Sequence, residues 1–215
     1  MYKKNKSENS EILEFLPVYS PERNLYFCTI AKNCSTSIIN QLPEDFVAVK
    51  PPLDADVVVI LRDPIDRWIS GTVEYFTYGP HSFVTTLGNP NPSKMLMALN
   101  SYIKRDTLYA FDFHTGLQSA ELKNIKKFTG KIHYYYYHPD VLDDIQQDFN
   151  VFKSVSKENT TSADKHRPKF RMTLNSWLET NHEKLYPKLK EFYKKDYKLI
   201  NRSQFVNWDI TTGRK

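Results

Sequence analysis

Residues 56–62 read DVVVILR, a near-continuous apolar run that ends on a cation. Successive side chains of a strand point to opposite faces, so a run without polar alternation needs cover on both faces, as strands of parallel sheets have. The chain then continues as RDPIDRWISGTVEYFTYG, where Asp63 suits a helix N-cap and Pro64 its first turn. Ile65, Trp68, Ile69, Thr72, Val73 and Phe76 follow at helical spacing. A buried strand therefore feeds a helix.

The same transition occurs earlier. NLYFCTIA (24–31) is short and rich in aromatic and β-branched residues, which predicts a strand, and from Ser35 the positions Ile38, Ile39 and Leu42 predict a helix capped by Ser or Thr. FVAVK (46–50) and KIHYYYYH (131–138) read as further strands. Helices are expected over 93–105, 115–127 and 139–149, and at the C-terminal end with a break or kink near Pro187. Residues 79–92 and 151–173 read as loops, and residues 1–23 as a polar N-terminal arm. Strands alternating with helices define an α/β class: one domain over 24–215 with a mostly parallel central sheet flanked by helices.

Composition narrows the function classes. No apolar run reaches the length of a membrane span, and the N-terminal residues have no apolar signal core, so the expected location is cytoplasmic, with no membrane segment. Cys28 and Cys34 offer neither a disulfide framework nor paired metal spacing, and the six histidines form no H-x-x-x-H pair, so no metal is expected. Charge is uneven: residues 151–215 carry 15 basic and 7 acidic side chains, a net of +8, against −3 for residues 1–150. Such a basic third suits an anionic ligand, a nucleic acid or a solvated helix face. No recognised nucleic-acid module is present, so no nucleic-acid partner is expected.

The two strand-to-helix corners carry the chemistry. Lys32, Ser35, Thr36 and Ser37 stand where backbone N–H groups, hydroxyls and an ammonium can meet phosphate or sulfate oxygens. Arg62 ends the apolar strand, and Ser70 lies about two helical turns further on, so a guanidinium fork and a hydroxyl can converge on one anion. The first loop lacks the glycines of G-x-x-x-x-G-K-[ST].

AKNCSTSI (31–38) resembles the P-loop-like 5′-phosphosulfate loop of sulfotransferases that use 3′-phosphoadenosine 5′-phosphosulfate (PAPS). VVVILRDPIDRWIS (57–70) resembles their 3′-phosphate motif, in the same order and separation, and DFHTGLQ (112–118) is similar to an element of the carbohydrate-type branch. The resemblance spans roughly residues 24–200 and implies a sulfotransferase fold. It also implies PAPS as donor co-substrate without a metal, and a small-molecule or saccharide acceptor. By it, Lys32 neutralises the leaving oxygens, while Asn33, Cys34, Ser35, Thr36 and Ser37 form the loop around the 5′-phosphate, and Arg62 and Ser70 grip the 3′-phosphate. Lys50 matches the lysine of the K-x-H element of relatives and by the resemblance contacts the sulfate, and the basic loop with Lys157, Lys165 and Arg167 resembles in position the family's late loop that closes over the nucleotide. Relatives often carry a histidine soon after that lysine; here the place reads Pro51–Pro52, which leaves His114, then Glu74, then His81 as candidates for the general base. Two other classes remain open: a phosphotransferase using ATP and magnesium, and a nucleic-acid binder working through the basic C-terminal third. The acceptor's identity and the oligomeric state are not written in the sequence.

Overall fold

A computed structural model gives the structure of the chain and describes residues 18–78, 82–84, 90–105, 114–153 and 166–208. Four strands, β1 (Val18–Ser20), β2 (Leu25–Cys28), β3 (Asp56–Leu61) and β4 (Ile132–Tyr136), lie side by side in chain order. β1 runs antiparallel to β2 with Tyr19 opposite Tyr26, while β2, β3 and β4 are parallel, with Phe27 opposite Val58 and Val59 opposite Tyr134. Parallel neighbours require crossovers. The first carries α1 (Ser35–Gln41); the second carries α2 (Pro64–Tyr78), α3 (Pro92–Arg105), the four-residue α4 (Gln118–Glu121) and a 3-10 turn (Ile125–Lys127).

The apolar run of β3 is explained by its central place. Val57, Val59 and Leu61 pack with Tyr26, Leu122, Ile125 and Ile200, whereas Val58 and Ile60 pack with Ile38, Leu42, Val141 and Ile145 on the other face. All five are at most 3% exposed. The first layer draws on α4, the 3-10 turn and α8 (Lys194–Arg202), the second on α1 and α5 (Val141–Phe149). A third core joins α2 and α3 to α6 (Arg167–Thr180) and α7 (His182–Phe192) through Trp68, Phe76, Leu99, Phe170, Leu174 and Leu189. The domain is thus α/β with a mixed, mostly parallel sheet between helices, and no helix among the described residues is long and apolar enough to cross a membrane.

Four local expectations are corrected. FVAVK forms only one antiparallel bridge, between Val47 and Tyr19, and Val47 and Val49 are exposed. The reason is that Val18–Ser20, read from the sequence as part of the arm, occupies the outer edge of β2 and leaves no place in the parallel sheet. The helix expected over 115–127 shrinks to α4 and the 3-10 turn, because the Thr115 and Gly116 carbonyls are taken by Tyr193 and Arg67 and Leu117 is the N-cap of α4. α6 begins at Arg167, inside the stretch read as loop, since Pro168 falls in its first turn where no N–H is needed. No break falls at Pro187, which lies inside α7; the late breaks fall at Asn181 and Tyr193.

Candidate functional site

The loop after β2 is backbone-driven. Lys32 (φ 67°) and Cys34 (φ 63°) both adopt the left-handed conformation, which is costly for residues with a Cβ and persists only where the surroundings enforce it. Asn33 between them is 1% exposed, and its amide donates to the Ile60 carbonyl and to Gln118 Oε1, both at 2.7 Å. Cys34, rather than the expected Ser or Thr, is the N-cap of α1 and places no side chain on the first-turn N–H groups. Those groups have no partner within the helix by geometry. Ser35 is half-buried, Thr36 exposed and Ser37 buried.

The corner after β3 is built differently. Asp63 Oδ1 accepts from the amides of Ile65 and Asp66, both at 2.9 Å, the cap expected from the sequence. Gln118 then grips Arg62 through the main chain: its Nε2 donates to the Arg62 carbonyl (2.8 Å) and its Oε1 accepts the Arg62 N–H (3.1 Å). Asp196, fully buried on α8, in turn accepts from the amides of Gln118 and Ser119, both at 2.9 Å. One Gln118 carboxamide therefore ties both corners, because its Oε1 also receives Asn33.

The Arg62 guanidinium completes the union. Its Nη1 donates to the Lys32 carbonyl at 2.9 Å, its Nε and Nη2 hold Asp66 Oδ2 at 2.7 and 2.6 Å, and its carbon stands 4.3 Å from the ring centre of Tyr137. The ion pair with Asp66 and the inter-loop bond coexist in one planar fork, as a guanidinium allows. Arg67, 1% exposed, braces the same loop from behind, donating to the carbonyls of Ala31 (2.9 Å) and Gly116 and pairing with Glu121 at 2.6 Å. Burial pushes the Glu121 carboxyl up to about 7 although the Arg67 charge pulls it down. The Cys34 thiol is likewise pushed up to about 11 by burial, so it is protonated at neutral pH and no nucleophile.

In front of this brace lies a cleft of about 280 Å³ lined by Lys32, Ser70, Glu74, Arg167, Arg171 and Asn175, among others. Glu74 Oε2 sits 3.0 Å from Lys32 Nζ and 2.8 Å from Arg167 Nη2, a single carboxylate between two cations. Arg171 Nη2 stands 3.4 Å from Asp66 Oδ1, on the carboxylate that also holds Arg62. Cations thus outnumber acids around a small opening, which suits an anion; the volume lies at the low end for ligand sites and fits part of a nucleotide.

Of the residues singled out in the sequence, Lys32, Ser70, Glu74 and Arg167 share this cleft, and Arg62 borders it through the Lys32 carbonyl. Asn33 does not face it, because its amide is spent on Ile60 and Gln118. Lys50 is not brought there either: it lines a separate, mostly apolar pocket with Tyr26, Cys28, Leu53 and Phe128, since 46–50 is no strand and Lys50 follows no sheet edge. His114 is not a lining residue of the cleft; its main-chain carbonyl packs on Gly71 of α2. His81, Lys157 and Lys165 lie outside the described residues. Sequence reasoning missed Arg67, Arg171 and Asp196. Only Asp196 left a trace, as an acid inside the basic stretch KKDYK.

No known family model matches this chain, and no curated protein or solved structure is significantly similar to it. The functional reading accordingly rests on the residues themselves.

Proposed function

We propose that this protein transfers a sulfuryl group from PAPS to a hydroxyl or amine, with a saccharide as the acceptor class, on a sulfotransferase-type fold. The observation that carries the reading is the union of the two corners: Arg62 donates to the Lys32 carbonyl at 2.9 Å, and Ser70 opens on the same cleft as Lys32. Residues 30 positions apart in the chain thereby form one cationic site of the kind a doubly anionic donor needs.

In this reading the first turn of α1 and the Lys32 ammonium receive the 5′-phosphosulfate, and Ser70 with the Arg62 side receives the 3′-phosphate. The acceptor oxygen or nitrogen attacks sulfur in line as the bond from sulfur to the phosphate oxygen breaks. Lys32 neutralises charge gathering on that departing oxygen. The acceptor proton goes to Glu74, the base candidate that lines the cleft. Lys32 and Arg167 fix the Glu74 carboxylate at the cleft, 3.0 and 2.8 Å from its Oε2, within hydrogen-bond reach of an acceptor seated there. Fixed cations of this kind need no divalent metal to stabilise the transfer.

Calorimetric titration of the full chain with 3′,5′-adenosine bisphosphate, ADP and ATP with magnesium tests the donor. The expected result is at least about a tenfold preference for the bisphosphate over ADP, the worth of one charge-assisted contact, lost in Ser70→Ala. Ser70 makes the cleaner probe, since Arg62→Ala also frees the Lys32 carbonyl. A magnesium-dependent preference for ATP defeats the reading in favour of a phosphotransferase. Glu74→Gln should retain bisphosphate binding while losing turnover; equal loss of both reassigns Glu74 to binding.

A further inference from the structure

A third opening lies toward the other end of the parallel strands. Ile132, which lines it, pairs with Val57 at the start of β3, whereas Arg62 follows Leu61 at the end, about 13 Å further along. This groove encloses about 890 Å³, roughly three times the volume of the cleft. Five exposed cations line it: Lys126 and Lys131 before β4, and Lys195, Lys198 and Arg202 on α8. Among the described residues no carboxylate lines it and none of the five belongs to an ion pair. Two acids border it and are engaged elsewhere: Asp56 takes the Lys131 main-chain N–H at 2.8 Å and stands 3.9 Å from His133, and the buried Asp196 takes the Ser119 N–H at 2.9 Å.

Unpaired like charges at i, i+3 and i, i+4 on one helix repel and cost stability, so the stripe Lys195–Lys198–Arg202 is disfavoured until an anion lies along it. It extends about 10 Å on the rise of a helix, too long for a single phosphate and suited to a chain of charges. The lining also includes the partly buried apolar side chains Tyr134, Leu199 and Phe205. Sugar rings present flat C–H faces to such side chains while their acidic substituents project to both edges. A single nucleic-acid strand can also stack on Tyr134 and Phe205 but carries its phosphates along one edge, whereas the cations here come from two separate elements, the segment before β4 and α8.

We infer that the groove between α8 and the start of β4 is a docking site, apart from the cationic cleft, for a sulfated or carboxylated saccharide chain. That the polyanion is a saccharide rests on the reading of the cleft as a sulfuryl-transfer site; that a polyanion binds there rests on the groove alone. Docking here holds one stretch of the chain while another is presented to the cleft, so the effective acceptor concentration rises without any new contact at the reacting atoms.

The test is fluorescence-detected binding of a heparin-type hexasaccharide to the full chain, with and without 3′,5′-adenosine bisphosphate, in wild type and in the triple variant Lys195→Gln, Lys198→Gln, Arg202→Gln. All three side chains are exposed, and circular dichroism checks that the variant is folded. The proposal expects binding that weakens with salt and falls about tenfold or more in the variant, with bisphosphate affinity unchanged. Equal hexasaccharide binding in both proteins overturns it, as does the absence of binding in wild type. Tighter binding of a single-stranded RNA oligomer, lost in the variant, overturns the saccharide assignment. Failure of the bisphosphate to bind, with the hexasaccharide still lost in the variant, sinks the sulfuryl-transfer reading but leaves the groove as a polyanion site.

Discussion

Replacing Arg67 with methionine is expected to cost about 3–5 kcal/mol, the penalty for leaving a buried ion pair without one partner. The guanidinium is 1% exposed and satisfies two main-chain carbonyls, of Ala31 and Gly116, besides Glu121 Oε1 at 2.6 Å. Methionine fills a similar channel and makes none of these bonds, so the loss is polar and not a cavity effect. Against a total stability of about 5–15 kcal/mol this is a large fraction. With a urea slope of about 2–3 kcal/mol per M, the unfolding midpoint should fall by roughly 1–2 M. The loss has a pH signature. Without Arg67 the Glu121 carboxyl rises further above about 7 and takes up a proton, so the variant suffers less at pH 6 than at pH 8. The double variant Arg67→Met, Glu121→Leu should recover part of the loss, because no charge is then left unpaired. Because Arg67 holds the carbonyl next to Lys32, bisphosphate affinity should fall with it. A midpoint within about 0.3 M of wild type, flat from pH 6 to 8, would refute the bracing role.

Gly71→Ala places a Cβ 2.5 Å from the His114 carbonyl oxygen and 2.8 Å from its carbon, so the main chain before α4 must shift. A loss of about 1–3 kcal/mol is expected in thermal unfolding; an unchanged midpoint means that α2 and the His114 segment are not in register as described. Glu121 also sets a pH slope in the wild type. Its carboxyl titrates near 4.5 when unfolded and about 7 when folded, so between those values the folded state binds more protons and stability falls as pH rises. The full difference is on the order of 3 kcal/mol, complete above about pH 7 and absent below about pH 4.5. Urea midpoints measured from pH 5 to 8 should show this fall, reduced in Glu121→Gln.

Much of the scaffold was legible because its causes are local. An uninterrupted apolar run needs cover on two faces, and Val57–Leu61 takes the centre of the sheet; Asp63 followed by Pro64 starts a helix through bonds that span three residues. The corners bearing Lys32 and Arg62 were legible for the same reason. What local pattern could not decide was direction and company. Asn33 belongs to the same loop as Lys32, yet its amide turns inward because Gln118, 85 residues later, offers the acceptor. Lys50 looked placed by a strand that never forms, since β1 had taken the edge beside β2. Glu74 and Arg167 meet only because α2 and α6 share a core around Trp68, Phe170 and Leu174. Period and capping act over a few residues and are written in the chain; side-chain orientation at the cleft is settled by partners tens of residues away, which exist only once the layers have packed.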